Sequence, residues 1–366
     1  MSMLNRSAIL IMYSWENASI NYTTYCIFDT ASLLRYAGTL TIILGFIGNF
    51  LSILVFSRKA LRSRSCSIYF LVLNLSDICV LIGYTLENLL FHGYGIQFLS
   101  SAFMCKSIIF LIYASTDISN YLLTLAAIDR CILISYRTVH RFCRASTAKL
   151  LIAIVVILFS LINSHFLYGF HVDQSGLCLP SSMKYIEFYV HHYDSYIDII
   201  KTVLIPFVII FICNIFIIST LTRKKSLLRR ASTLQRRIRQ EKDRQLTFFL
   251  LLTSILFIVL SLPSEINDFI RTHLSQQFQI KYACQLWIST TIFILLHQIH
   301  HASHFYVYTL TGPIFRQEFQ KFICHYKKPN YKVDLFDYSR RPTIISPHIN
   351  HDDIDDQQLD IFPRQT

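Results

Sequence analysis

The stretch Tyr36 to Ser57, YAGTLTIILGFIGNFLSILVFS, decides the fold. It carries no charged residue, and a helix needs about 20 mostly apolar residues to cross a ~30 Å hydrocarbon core. Six more stretches of the same kind follow. Cys66 to Leu86 holds one acid, Asp77, and Ser107 to Ile128 holds one acid, Asp117. Leu150 to Phe170 is uncharged, Ile199 to Leu221 carries Lys201, and Leu246 to Ser264 is uncharged. Leu286 to Leu310 carries four histidines. The expected fold class is an all-α membrane protein, a seven-transmembrane helix bundle.

Composition points the same way. Of 366 residues, 53% are hydrophobic and only 15% charged, against about 25% charged in soluble domains. This excludes a disordered chain and argues against a soluble enzyme. The net charge of +12 could suggest nucleic acid, but the basic residues flank the apolar spans, where membrane topology puts them. No nucleic acid is expected as a partner.

Lys and Arg crowd into the segments after the first, third and fifth spans and into the C-terminal tail. Only Arg6, Arg35, Lys106, Lys184, Arg271 and Lys281 fall on the other side, with Lys201 inside a span. The positive-inside rule then puts the N-terminus outside and the tail in the cytosol, at the plasma membrane. Three glycosylation sequons, at Asn5, Asn17 and Asn21, agree. The formal sequon at Asn74 lies in the second span and should stay unmodified. No cleavable signal peptide is evident, so the first span is expected to serve as an uncleaved insertion signal.

The cysteines divide by compartment. Cys105, at the outer start of the third span, and Cys178, after the fourth, both face the oxidising side, and a disulfide between them is expected. Cys26 and Cys284 are also exterior and could form a second bridge. Cys66, Cys131, Cys143 and Cys324 face the reducing side. Cys324 follows an amphipathic stretch and is a palmitoylation candidate, with a free thiol the plainer reading.

Polar residues recur at set places in the spans: Gly48-Asn49, Leu73-Asn-Leu-Ser-Asp77, Asp129-Arg130-Cys131, Pro206, Leu260-Ser-Leu-Pro263, and Tyr308 followed by Gly312-Pro-Ile-Phe-Arg-Gln-Glu-Phe319. Ionisable groups in a membrane cost ~2.5–3.5 kcal/mol near a helix centre, so each needs a reason. As an ordered set they resemble the rhodopsin-like (class A) G-protein-coupled receptors, over roughly Arg35 to Cys324. Lys242-Asp-Arg-Gln-Leu246 and Phe305-Tyr-Val-Tyr-Thr-Leu-Thr-Gly312 resemble invertebrate neuropeptide-type orphan receptors in particular.

The resemblance implies a mechanism. Arg130 would pair with Asp129 and with Asp243, 20 residues before Pro263 in the sequence, holding the third and sixth helices together. Release would let helix six swing outward about Pro263, with Phe257 rotating beside it, and Arg130 would meet a heterotrimeric G protein. Tyr308 belongs to the same switch, and Pro206 bends helix five. The plainer reading is that Arg130 and Asp243 snorkel to the headgroups and the prolines only kink their helices.

The chain departs from the family pattern in several places. Ser261 stands where the family has Trp, and the only tryptophans are Trp15 and Trp287. Cys131 and Asn214 replace tyrosines, and the Asn-Pro-x-x-Tyr motif reads His304-Phe-Tyr-Val-Tyr308. His297, His300, His301 and His304 can share one helix face. The resemblance puts His300 and His304 near Asp77, Ser119 and Asn49, around the family's usual sodium pocket. An imidazole is expected to pair with Asp77, partly replacing sodium and linking the receptor to pH. Zinc is a weaker reading of the same spacing, and lining a polar bundle interior is the plain one.

Ile112 occupies the place of the acid of amine receptors, and Gln298 that of the Schiff-base lysine of retinal proteins. Glu87, Asp198, Glu265 and Asp268 lie near the outer face with Tyr113 and Trp287, which suggests a pocket for a peptide-like ligand with a cationic group. Against this, Asp198 could pair with Lys201 and Asp268 with Arg271 on adjacent turns.

The expected organisation is an extracellular glycosylated segment 1–34, the bundle 35–312, an amphipathic helix eight 313–324 on membrane lipids, and a disordered cytoplasmic tail 325–366. In helix eight Ile314, Phe315, Phe319, Phe322 and Ile323 should face inward. Arrestin and a receptor kinase are further expected partners, with no cofactor and no enzymatic activity. A non-coupling decoy receptor, or a transporter or channel, are the alternatives.

Overall fold

The computed structural model describes residues 30–62, 65–135, 143–224 and 234–323. Seven long helices form the bundle: α1 (Thr30–Phe56), α2 (Ser65–Gly93), α3 (Ala102–Ser135), α4 (Ala145–Gly169), α5 (Ile200–Thr220), α6 (Leu234–His273) and α7 (Ala283–Thr311). A shorter helix, α8 (Pro313–Ile323), follows directly. Stretches of α1 to α6 are each long and apolar enough to cross a membrane. α7 is long enough, but its four histidines and several hydroxyl residues dilute its hydropathy. The seven-helix membrane bundle is the fold.

The burial pattern inverts that of a soluble protein. Ile43, Leu44, Phe46, Ile47 and Phe50 of α1 and Leu150, Ile154, Ile157 and Leu161 of α4 are exposed. Asn49, Ser52, Asn74, Asp77, Ser119, Asn120 and Thr124 are buried. Apolar side chains meet lipid, while polar groups turn inward to find partners. Asn120 Nδ2 donates to the Thr202 carbonyl at 2.9 Å and Ser76 Oγ to the Ser115 carbonyl at 3.2 Å, tying α3 to α5 and α2 to α3. Small residues allow close approach. A Cβ at Gly45 of α1 would lie 2.7 Å from Ala302 Cβ of α7.

At one end, a two-stranded antiparallel hairpin, β1 (Phe170–Val172) and β2 (Cys178–Pro180), follows α4. Its turn is closed by Asp173, whose Oδ1 accepts from the Ser175 and Leu177 backbone N–H groups at 2.9 and 2.8 Å. Gly176 supplies the left-handed conformation there, at φ 82°. Cys178 is disulfide-bonded to Cys105 at the start of α3, with Cα atoms 5.5 Å apart. Cys284 is also disulfide-bonded. Cys26, its expected partner, lies outside the described residues, as do Asn5, Asn17, Asn21, Cys324 and the segment 325–366.

Two boundaries differ from expectation. α1 begins at Thr30, inside the expected N-terminal segment. Ahead of α5, helical backbone already runs through Met183–Glu187 and Phe188–Ile197. The polar run His191-His-Tyr-Asp-Ser-Tyr196 hid this from a hydropathy reading. Wide π-helical turns occur at Leu34–Gly38, Leu81–Thr85, Leu89–Gly93, Phe188–Ile197 and Ile200–Leu204. All lie toward the hairpin end of their helices, and such turns often mark functional sites.

Candidate functional site

Three polar centres stack along the bundle: an acidic cavity near the hairpin end, a carboxylate core at mid-height, and an arginine at the far end.

The cavity is a cleft open to solvent, with about 540 Å³ of non-atom space when the open solvent at its mouth is included. Asp194 and Asp198, from the helical backbone ahead of α5, face Glu265 and Asp268 of α6 across it. Tyr84 of α2, Ile112, Tyr113 and Thr116 of α3, Thr202 of α5 and His297 of α7 complete the wall. Tyr113 is held by its hydroxyl, 3.0 Å from Asp194 Oδ1, to which it donates, and 2.7 Å from the Tyr189 hydroxyl. Its ring stacks on Phe166 at 4.2 Å.

Of the residues expected in the pocket, Ile112, Tyr113, Asp198, Glu265 and Asp268 come together here. Glu87 and Trp287 do not line this cavity. Glu87 is buried beside a smaller cavity with Gln97, Phe98, Gly176 and Cys178. The wide turn Leu81–Thr85, in which Tyr84 sits, shifts the helical phase before Glu87. The Trp287 indole donates to Thr30 Oγ1 at 2.8 Å and meets His92 edge-on, so it packs α7 against the start of α1. Asp194 lies ahead of the expected fifth span, in a polar run that hydropathy does not mark as helix. His297 belongs to the histidine set by spacing, and here it also lines the cavity.

Lys201 does not present its charge to the cavity. Its Nζ lies 2.6 Å from Asp117 Oδ2 and 2.6 Å from Asp198 Oδ1. Asp117 also accepts from Thr202 Oγ1 at 2.6 Å and Asn163 Nδ2 at 2.7 Å. Tyr193 then donates to Asn163 Oδ1 at 2.6 Å. The local Asp198–Lys201 pairing thus occurs, inside a network joining α3, α4 and α5. Asp117 is the one acid of the third span, and no local pattern in the sequence points to these partners. Arg271 donates to Thr290 Oγ1 at 2.6 Å.

At mid-height, Asp77 of α2 is wholly buried. Oδ1 accepts from Ser119 Oγ of α3 at 2.6 Å and lies 2.7 Å from His301 Nδ1. Oδ2 lies 2.7 Å from His304 Nδ1. Asn49 Nδ2 of α1 donates to the His301 carbonyl at 2.9 Å. The expectation of His300 beside Asp77 needs correction: His301 takes that place. One residue turns a helix by about 100°, and this carries the His300 ring toward α6, 5.6 Å from the Phe257 ring. Among the described residues, no group of three or more His, Cys, Asp or Glu side chains is placed to hold a metal ion.

At the far end, Arg130 is 2% exposed. Its Nη2 donates to Asp129 Oδ2 at 2.6 Å and to Ser65 Oγ at 3.4 Å. Asp243 lies within α6, but its side chain falls outside the described residues, and with it the expected Arg130–Asp243 pair. Tyr308 of α7 is buried among the rings of Phe56, Phe70 and Phe315. Phe257 is buried ahead of Pro263, which stands inside α6. Pro206 lies just beyond the π turn Ile200–Leu204 of α5.

α8 turns Phe315 and Phe319 into the bundle, with the Phe319 ring 5.2 Å from Phe305. Phe322 and Ile323 are exposed, free of the bundle. Ile314 has its side chain outside the described residues. Glu318 anchors α8, accepting from Arg58 Nε at 2.9 Å and Lys321 Nζ at 2.7 Å.

A family model described as 7 transmembrane receptor (rhodopsin family) matches residues 48–302. No curated protein matches the chain.

Proposed function

The chain belongs to the rhodopsin family of seven-transmembrane receptors, and from that premise we propose that it is a receptor for a cationic, peptide-like extracellular ligand. The family makes it a multi-pass plasma-membrane receptor rather than an enzyme, with an extracellular ligand and a G protein as partners. The hairpin end is taken as extracellular and the Arg130 end as cytosolic, in keeping with the Lys and Arg asymmetry and the three N-terminal sequons.

One observation carries the ligand reading. Four carboxylates, Asp194, Asp198, Glu265 and Asp268, line one cavity, while the nearby ammonium of Lys201 is turned into Asp117 and Asp198. A surplus of negative charge in a partly desolvated cleft favours and steers a positive ligand. The carboxylates and the aromatic wall of Tyr84 and Tyr113 suit the cationic group of an arginine or lysine side chain, or a peptide N-terminus.

Ligand entry is read as shifting a two-state balance in which the lower part of α6 moves away from α3 about Pro263 and uncovers Arg130 for the G protein. Arrestin and a receptor kinase would act on the cytosolic face. α8 would lie at the lipid surface with Phe322 and Ile323 in the headgroup region.

The test is to expose cells expressing the chain to a neuropeptide library, reading calcium and cyclic AMP. A basic peptide should evoke a response that Glu265→Gln weakens by about tenfold, the effect of removing one hydrogen bond between charged groups. Responses confined to acidic or uncharged ligands would overturn the reading. The replacement of the helix-seven motif by His304-Phe305 favours one alternative, a receptor that binds and internalises peptide without coupling. Peptide uptake with no second-messenger change would select it.

A further inference from the structure

The family resemblance attaches a sodium ion to the carboxylate of the second helix, and the residues around Asp77 do not fit one. An ionised carboxylate only accepts hydrogen bonds, so while Asp77 is charged each group touching it must turn a hydrogen toward it. Three do so. Ser119 Oγ and His301 Nδ1 reach Oδ1 at 2.6 and 2.7 Å, and His304 Nδ1 reaches Oδ2 at 2.7 Å. All four side chains are buried to 1% exposure or less.

A hard cation requires several oxygen atoms with lone pairs converging on one point. Here the space before the carboxylate is filled by two imidazole N–H groups, whose hydrogens would point at any cation placed there. Two further amide oxygens, Asn49 Oδ1 and Asn74 Oδ1, are buried without a hydrogen-bond partner. Each sits on an amide whose nitrogen is already committed, to the His301 carbonyl and the Phe70 carbonyl respectively. Ser52 Oγ of α1 is likewise buried without a partner, but such neutral oxygens do not make a shell while the Asp77 carboxylate is occupied.

We propose that the Asp77 core is closed to sodium and that His301 and His304 do mechanically what an ion would do, tying α7 to α2 and α3 through side-chain hydrogen bonds. The receptor's stability and ligand response should then be indifferent to sodium, because the compensating groups are covalently part of α7. This inference rests on the geometry about Asp77 and not on the ligand reading. Its test therefore uses no ligand, and the two can fail separately.

The full chain, purified in detergent or nanodiscs, is unfolded thermally in sodium chloride and in choline chloride at equal ionic strength. The wild type should give the same midpoint in both. His301→Ser with His304→Asn replaces both imidazoles with smaller side chains that can turn an oxygen lone pair toward a cation, so it should gain a midpoint rise in sodium, which adding Asp77→Asn should abolish. A sodium-dependent rise in the wild type that Asp77→Asn removes would overturn the proposal. So would a double variant as indifferent to sodium as the wild type, because the imidazoles would then not be what excludes the ion. Should the double variant not fold, the wild type alone decides by sodium NMR. No line broadening dependent on Asp77 is expected, and broadening that Asp77→Asn abolishes contradicts the assignment.

Discussion

The Lys201 ammonium is clamped between two carboxylates, 2.6 Å from Asp117 Oδ2 and 2.6 Å from Asp198 Oδ1. Lys201 and Asp117 are both buried. The pair costs desolvation, and Thr202 and Asn163 offset part of that cost by donating to Asp117. Asp198 also faces the acidic cavity, so the network touches both the packing of three helices and the charge available to a ligand.

Lys201→Met should leave Asp117 as a buried charge with only neutral donors, and breaking such a pair typically costs about 3–5 kcal/mol. The expected result is a large drop in thermal midpoint and in surface expression. Adding Asp117→Asn should recover most of it, because no uncompensated charge then remains. A single Lys201→Met variant as stable as wild type would show that the ion pair contributes little.

Asp129 shields Arg130 through bonds of 2.6 and 3.1 Å. Asp129→Asn removes the charge while keeping the shape. Hydrogen bonds to charged groups contribute about 1.5–3 kcal/mol, so weakening this one only in the resting state should raise basal second-messenger output several-fold without ligand. Arg130→Ala should abolish the ligand-evoked response while leaving ligand binding in place. Equal coupling in both variants would remove Arg130 from the mechanism.

Glu318 gives a pH prediction outside the membrane. Burial pushes its carboxyl up, but the hydrogen bonds and charges of Lys321 and Arg58 outweigh this and hold it below the usual range. A depressed folded value means that the stabilisation is complete above the unfolded value of about 4.3 and fades as pH falls through the folded one. Arg58 and Lys321 are partly exposed, so the effect is at most about 1 kcal/mol. A spin label at exposed Gln320 should gain mobility in Glu318→Gln at neutral pH, and in the wild type only on acidification below that range.

Much of this could be read from the chain, and the failures have physical causes. Six spans announce themselves because lipid demands unbroken apolar runs. The seventh was found by the same test despite its histidines, yet which histidine meets Asp77 depends on a rotation of one residue. Spacing alone puts His297, His300, His301 and His304 on a shared face and cannot choose among neighbours. Asp194 was lost because hydropathy sees no helix in a polar run, although that run needs no lipid to be helical when it lines a cavity. Asp117 stands out in the third span, but its role does not, since its partners Lys201 and Asn163 come from helices whose neighbours no local pattern specifies. Glu87 is misplaced for the opposite reason: even α-helical spacing would put it with Tyr84, and the π turn Leu81–Thr85 that holds Tyr84 breaks that phase.

The closeness of α1 and α7 offers the last test. A Cβ on Gly45 would stand 2.6 Å from Leu81 Cδ1, 2.7 Å from Ala302 Cβ and 3.1 Å from Ala302 Cα. Leu81 can swing its methyl aside, but Ala302 is fixed to the helix backbone, so α7 itself would have to move. Gly45→Leu should therefore cost about 1–3 kcal/mol, as overpacking does, seen as a lower thermal midpoint. Gly45→Ala should cost less, and Ala302→Gly in the same chain should restore it by reopening the space between the helices. Ala302 follows His301, whose carbonyl is held by Asn49 of α1 and whose ring is held by Asp77. Pushing the helices apart should thus also loosen the Asp77 core, and Gly45→Leu should admit sodium-dependent stabilisation that the wild type lacks.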